Sequence, residues 1–452
     1  MSDKITRRDA MRILGASGVA AGLSGGASSA ARGAPTPARA PADPSMVPSG
    51  GEAPHAARLT GGKVIQPQRE LAVLDRADVL VVGGGPAGVA AAIAAGRAGA
   101  KVVLVERYGH LGGLWTGGLV VLVLAMHAKG EKGKLLVTRG IGKEMCDRLA
   151  KMDRAIIGWR PGSDPTVDAE ALKYLMVEMV LEAGVKTYLH CWGVDAILDG
   201  QAVRGAVFES KSGRQAILAN VVVDATGDGD VYAAAGCPYL HKKKHHIGLV
   251  CRIGGVPTTM GPKRPRGLGA RTPIPGVHWV NMHGPDADGL DVRELSRLEL
   301  SHRRAIWQQV SRLRKTPGCE GVYLLETAPQ LGVRITRLLA GLKTLRYKDI
   351  AAGTRFADAI GVGGAGGAKL PPWQIPYGTL VPRRVENILA AGRCIAAERK
   401  MLYRMRLIPT CFVTGQAAGA AAAIAAKDRC PVRDVEIPKL QKLLREQEAY
   451  LG

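Results

Sequence analysis

Between Ala77 and Gly88 the chain reads Ala-Asp-Val-Leu-Val-Val-Gly-Gly-Gly-Pro-Ala-Gly, and it then enters the Ala-rich segment Val89 to Ala98. An apolar, β-branched run that ends in G-x-G-x-x-G and opens a helix constrains the fold more than any other feature here. Each glycine has its own reason. Gly83 makes the tight turn, Gly85 lets the backbone approach a pyrophosphate, and Gly88 lets the helix pack closely on the strand. Pro86 and Ala87 fill the two positions between them, at a helix N-terminus whose free N–H groups and positive dipole end suit phosphates. A second strand, Lys101 to Val105, ends at Glu106, a carboxylate placed to accept hydrogen bonds from a ribose diol, with Arg107 beside it. Strand, glycine turn, helix, strand and terminal acid in this order predict a dinucleotide site in an α/β chain.

Later segments select the dinucleotide. Gly109-His110-Leu111-Gly112-Gly113-Leu114-Trp115-Thr116-Gly117-Gly118 resembles the Gly-Gly segment that passes the flavin in FAD enzymes of the glutathione-reductase-like superfamily, particularly its fumarate-reductase-like branch. Asn220 to Asp230, containing Ala225-Thr226-Gly227, is similar to that superfamily's second fingerprint, and Asn387 to Cys394, containing Gly392-Arg393, to its third. Arg406-Leu407-Ile408-Pro409-Thr410-Cys411 then leads into Gly415-Gln416-Ala417-Ala418-Gly419. With Gly332 to Arg337 and Ile375-Pro376-Tyr377 between them, these segments resemble the broad FAD-dependent oxidoreductase family from about Ala77 to Ala426. The resemblance implies a Rossmann-like FAD/NAD(P)-binding domain with a parallel sheet and an antiparallel meander, plus an inserted α+β substrate domain. It also implies FAD as cofactor, held by the turn Gly83, Gly85, Pro86, Ala87 and Gly88, by Glu106 and Arg107, and by Gly112, Gly113, Ala225, Thr226, Gly227, Gly392, Arg393, Pro409 and Gly415, with backbone near Val194 against the adenine. Two positions depart from the family pattern: Ile335 stands where Glu is usual, and Arg404 where Ser is common.

Periodicity organises the rest. Gly140 to Met152 and Asp168 to Ala183 have helical spacing, and in the latter Ala171, Leu172, Leu175, Met176, Met179 and Val180 form one apolar face. Val185 to His190 reads as a strand. Val194–Leu198, Ala202–Glu209 and Gln215–Leu218 read as an antiparallel meander with turns at Asp199-Gly200 and Ser212-Gly213. Val292 to Leu313 reads as a long polar helix. The expected layout is a leader over 1–30, a flexible linker over 31–71, an FAD-binding part over 72–236 and a substrate-side domain over 237–374. An FAD-binding return segment over 375–430 and a C-terminal helix over 431–452 follow. Gly361-Val362-Gly363-Gly364-Ala365-Gly366 fits G-x-G-x-x-G literally. It follows a segment of little strand character and runs into Lys369-Leu370-Pro371-Pro372, so it reads as a loop and not as a nicotinamide-cofactor site.

The N-terminus carries Arg7-Arg8, an apolar run from Ile13 to Leu23, and small residues at Ser28 and Ala30. It resembles a bacterial twin-arginine export signal, although Ala10 replaces the usual Phe. That predicts recognition by export machinery after cofactor loading, and a periplasmic or extracellular mature protein, cytoplasmic if the leader is not functional. Beyond that segment no apolar run is long enough to predict a stable membrane span. The eight cysteines contain no C-x-x-C pair, which argues against a dithiol centre or a cysteine-rich metal or iron–sulfur site; disulfides after export stay open. The cluster His241-Lys242-Lys243-Lys244-His245-His246 reads as a basic or substrate-facing loop rather than a metal site.

The formal charge of +23 arises from 62 Lys and Arg against 39 Asp and Glu. No basic stretch is interleaved with aromatics as a single-strand platform requires, so a nucleic-acid partner is not expected. The charge suits either an anionic cofactor and an acidic substrate, or a basic surface without a specific partner. Hydride transfer to or from a small substrate needs cationic clamps and a proton carrier. Arg334 and Arg406 are the expected clamps, with Arg337 one helical turn from Arg334, and His245, His246 or His283 the expected proton carriers. The expectation is an exported dehydrogenase or oxidase acting on an anionic or hydroxylated small molecule, with a quinone, a cytochrome or oxygen as acceptor. The alternatives are a fumarate-reductase-like ene reductase and an FAD-containing assembly module without turnover.

Overall fold

The computed structural model describes residues 56–258, 265–281, 283–365 and 370–452. The expected leader and most of the expected linker lie outside these residues. The described chain falls into two units, one ending at Arg69 and one spanning Glu70–Gly452. In the first, Arg58–Thr60 pairs antiparallel with Lys63–Ile65 across the Gly61-Gly62 turn. This corrects the linker expectation at its end: two positive-φ glycines let a short β-branched stretch close on itself.

The second unit is built around a seven-stranded mixed sheet. Its strands are β1 (Ala72–Val82), β2 (Val102–Val105), β3 (Lys186–Tyr188), β4 (Trp192–Asp199), β5 (Ala202–Ser210) and β6 (Gly213–Asp224), with Ile388–Ala390 as the seventh. The path runs β4-β5-β6-β1-β2-β3. The meander's last strand and the strand before Ala225-Thr226-Gly227, which the sequence presents as two, form a single twelve-residue strand. The first part of β6 is antiparallel to β5, its last residues are parallel to Ile388–Ala390, and its other edge is parallel to β1. Parallel central strands buried on both faces explain the unbroken Val/Leu/Ile runs.

Helices α1 (Pro86–Arg97), α2 (Ile141–Leu149), α3 (Ala169–Glu182), α4 (Val292–Leu313), α5 (Ile408–Asp428) and α6 (Ile437–Glu446) carry the packing. The predicted helices at 140–152, 168–183 and 292–313 are present, and α3 starts where Asp168 accepts hydrogen bonds from the Glu170 and Ala171 N–H groups. By length and composition α5 could cross a bilayer, but 94% of the qualifying window is buried inside the protein. A helix apolar on every side is a core helix when protein surrounds it.

Helices α1 and α5 lie side by side and point the same way. A Cβ on Gly415 would sit 2.1 Å from the Ala87 carbonyl oxygen, and one on Gly419 would sit 2.0 Å from that of Ala91. The four-residue step on both helices keeps the contact parallel, so both N-termini face the same end of the sheet. A second, four-stranded antiparallel sheet contains Val250–Gly254, Ala270–Arg271, His278–Asn281 and Tyr323–Thr327, and α4 packs beside it. The literal G-x-G-x-x-G segment also differs from its reading. Ala359–Gly363 is a buried strand antiparallel to Trp373–Pro376, and Trp373 closes over Gly363, where a Cβ would meet its ring at 2.0 Å. Long-range pairing made a strand from residues with little intrinsic preference for one.

Candidate functional site

Sheet register assembles the site. Val82 pairs with Val105 and with Asp224, and Asp224 pairs with Ala390, so four parallel strands end at one level. The residues that follow them, Gly83, Glu106, Ala225 and Ala391, all line one cavity of about 330 Å3. Ligand sites in open α/β sheets lie at such carboxyl ends. Gly83 has φ +101, and a Cβ there would strike the Ala225 carbonyl at 2.5 Å, so only glycine makes this turn. Gly88 packs behind it, 1.7 Å from the Gly83 oxygen if given a Cβ. Gly85 differs from both. Its nearest neighbour would be Gly113 Cα at 4.0 Å, so its α-face opens on the cavity.

The helix ends supply the electrostatics. Neither α1 nor α5 has a side-chain N-cap, and residues at both N-termini (Gly85, Pro86 and Ala87; Leu407 and Ile408) line the cavity. Unsatisfied N–H groups and the two positive dipole ends therefore converge on one space. The Glu106 carboxylate accepts from the Gly84 N–H at 2.6 Å and the Tyr108 N–H at 2.9 Å, fixing the turn while leaving acceptor capacity on both oxygens.

Three arginines surround the far side. Arg393 donates to Asp228 at 2.9 Å; burial opposes its charge, but Asp228 outweighs burial and raises its pKa. Thr336 donates to the same carboxylate at 2.7 Å. Arg334 and Arg406 have no carboxylate partner among the described residues. Burial lowers the pKa of Arg334, and burial with the neighbouring Arg334 lowers Arg406 to about 10. Two half-desolvated guanidinium groups facing one cavity are costly unless an anion joins them. Arg334 lies 3.3 Å from His283 Nδ1. Because guanidinium can only donate, that nitrogen accepts, which leaves the proton on Nε2.

Of the sequence-derived candidates, Gly83, Gly85, Pro86, Ala87, Glu106, Arg107, Gly113, Ala225, Thr226, Gly227, Gly392, Arg393, Arg334, Arg406 and His283 line this cavity. Others support it from behind. Gly112 has φ +105 and donates to the Gly84 carbonyl, Pro409 lies in the first turn of α5, and Gly88 and Gly415 serve helix packing. Val194 is the extra residue of a bulge in β4, beside a small hollow lined by Arg107, Trp192 and Gly193. The Arg107 guanidinium lies 4.8 Å from the Tyr108 ring and 5.3 Å from the Trp192 ring.

Two expectations need correction. His245 does not line the cavity: it is buried against the Tyr403 ring, with its pKa lowered by burial and by Arg406 and Arg334. Arg337 is not one helical turn from Arg334, because 332–336 is irregular and Arg337 begins a strand. Arg337 turns instead to Asp230 at 2.8 Å and the Asp228 carbonyl at 3.0 Å. The departures from the family pattern also find their places. Ile335 is buried with Leu338 and Leu402, and Arg404 stacks on Tyr347.

Leu114 and Trp115, which belong to the Gly-Gly segment, form an apolar wall with Val120, Leu122, Val250 and Trp279. Sequence reading missed the last four and the polar Asn281 and Gln330, with the apolar run Leu119 to Leu124 the local signal for two of them. The inventory fits an extended dinucleotide carrying a flat aromatic group: uncapped helix ends and an open glycine for phosphates, a buried carboxylate at the end of β2, and an apolar slot beyond.

A family model described as FAD dependent oxidoreductase matches residues 78–264 and 266–444. Digeranylgeranylglycerophospholipid reductase 1 of Methanopyrus kandleri is 32% identical over 158 residues, 33% of this chain and 39% of that protein. Thiamine thiazole synthase of Aeropyrum pernix is 45% identical over 58 residues, 13% of this chain and 22% of that protein. The matches thus span less than half the length of these relatives. Among solved structures, a geranylgeranyl bacteriochlorophyll reductase-like protein from Thermoplasma acidophilum is 15% identical, with a TM-score of 0.43 and coverage of 83% of this chain and 84% of that one.

Proposed function

The chain belongs to the FAD-dependent oxidoreductase family, and from that premise we propose that its substrate is a small carboxylate-bearing molecule held by Arg334 and Arg406. FAD is the cofactor, and when bound it supplies a two-electron hydride acceptor or donor. The observation that carries the substrate reading is the pair of partly buried guanidinium groups facing the cavity with no carboxylate partner among the described residues. A substrate carboxylate bridging them would restore their lost solvation and fix its own orientation. His283, with Nδ1 accepting from Arg334, presents its Nε2–H as a hydrogen-bond donor to the neighbouring substrate atom; it could take a proton there only in the other tautomer, with Nδ1 released from Arg334. Leu114, Trp115 and Val250 exclude water from the slot. At the other end, the uncapped N-terminus of α1 receives the pyrophosphate and Glu106 the ribose.

The arrangement serves dehydrogenation of a hydroxy or amino acid, and it equally serves reduction of an alkene polarised by a carboxylate. Arg7-Arg8 and the following apolar run support export, with an envelope quinone, a cytochrome or oxygen as electron acceptor. The test is anaerobic titration of the holoenzyme with carboxylic acids and their neutral amides, following the flavin absorbance. Bleaching by an acid and not by its amide is the expected result. Equal bleaching by both removes the role of the arginine pair.

A further inference from the structure

Helix α4 has an outer face that its packing does not explain. Leu298, His302, Ile306, Val310 and Leu313 are its buried positions, spaced as one inner stripe. On the opposite side Arg293, Arg297, Leu300, Arg304 and Trp307 follow one another at steps of four, three, four and three, and all are exposed. Leu300 is 76% exposed and Trp307 59%. The helix's carboxylates are engaged elsewhere: Glu299 pairs with Arg303, and Glu294 accepts from the Asp288 N–H. Arg293, Arg297 and Arg304 have no carboxylate partner among the described residues. Three cations and two large apolar side chains therefore share one face of a helix that, at about 1.5 Å per residue, runs roughly 33 Å.

We propose that this face of α4 docks on an anionic lipid surface. The charge is complementary to acidic headgroups, and the chain's net +23 adds to the attraction. Leu300 and Trp307 stand level with the arginines, so the same contact that pairs guanidinium with phosphate sinks an apolar and an amphipathic side chain into the interface. A nucleic acid would use the arginines and leave Leu300 without a role; a lipid surface uses both. The docking inference stands on α4 alone and does not depend on the substrate reading.

The test is co-sedimentation of the full chain, loaded with FAD, with phosphatidylcholine vesicles containing or lacking phosphatidylglycerol. The wild type is expected to bind the phosphatidylglycerol vesicles, with salt weakening the binding, and to leave pure phosphatidylcholine in the supernatant. R297E/R304E is expected to lose roughly tenfold or more in partitioning. L300S/W307S is expected to lose a similar factor while retaining salt sensitivity. Flavin content and thermal midpoint monitor folding, since every substituted side chain is exposed. Equal partitioning of wild type and both variants overturns the proposal. So does binding of L300S/W307S at wild-type strength with loss confined to R297E/R304E, since that pattern belongs to an acidic polymer rather than a bilayer.

Discussion

Replacing Gly415 by Ala tests how the site is framed. The added Cβ would lie 2.1 Å from the Ala87 oxygen and 2.7 Å from its carbonyl carbon and Cα. Ordinary non-bonded separation is about 3.5 Å, so α1 and α5 must part by roughly 1.4 Å, and the obstructing atoms are backbone that cannot rotate away. Overpacking of this kind costs up to about 3 kcal/mol, while Gly to Ala within a helix returns about 1 kcal/mol. The expected net loss is about 2 kcal/mol. Both helix N-termini face the cavity, so the shift also displaces phosphate-binding N–H groups, and FAD affinity should fall with stability. Urea denaturation of the apoprotein and fluorescence titration with FAD measure the two effects. Gly321→Ala is the control: its Cβ would meet nothing nearer than the Gly255 oxygen at 3.8 Å, so the change should be near neutral, within about 0.5 kcal/mol. A G415A protein with wild-type stability and FAD affinity would refute the parallel small-residue packing.

Further outcomes follow from other parts of the molecule. Asp224 is fully buried, and burial raises its pKa to about 6 although Tyr232 and Thr226 donate to it. A raised carboxylate pKa stabilises the fold below the unfolded value and loses that contribution as pH rises through about 6. The wild type's stability relative to D224N should therefore fall by up to about 3 kcal/mol between pH 4 and pH 7, and a flat difference would contradict it. R334M and R406M should each raise KM for an acidic substrate by about 100-fold, with FAD content unchanged, corresponding to loss of one charge-assisted contact of about 3 kcal/mol. Loss of FAD instead would move these arginines to the cofactor. Replacing Arg7 and Arg8 by Lys should abolish export of the precursor in a fractionation assay if the leader is of the twin-arginine type, and undiminished export would remove that reading.

The parts legible in the sequence are those set by local signals. The strand–turn–helix at Gly83 to Gly88 carries its signal in neighbouring residues, and α4 spans the same Val292 to Leu313 that reads as one long polar helix. Residues whose state depends on distant partners were not legible. Ala359–Gly363 becomes a strand only because Trp373–Pro376 pairs with it. The twelve-residue length of β6 appears only when β1 spans both of its halves. Arg334 and Arg337, three apart, part company because Asp228 and Asp230 hold one of them while the other faces the cavity. The apolar wall was least visible, since Trp279 and Leu122 come from separate elements and a lone apolar residue looks the same in any core.

The central claim is that FAD crosses the turn at Gly85, the glycine whose α-face opens on the cavity. FAD released on acid precipitation, measured for the wild type and G85V with the fold of each checked by circular dichroism, tests it most directly. A folded G85V protein that releases almost no FAD, beside a wild type that releases it near stoichiometrically, is the predicted result. Full FAD occupancy in G85V would contradict the placement of the site.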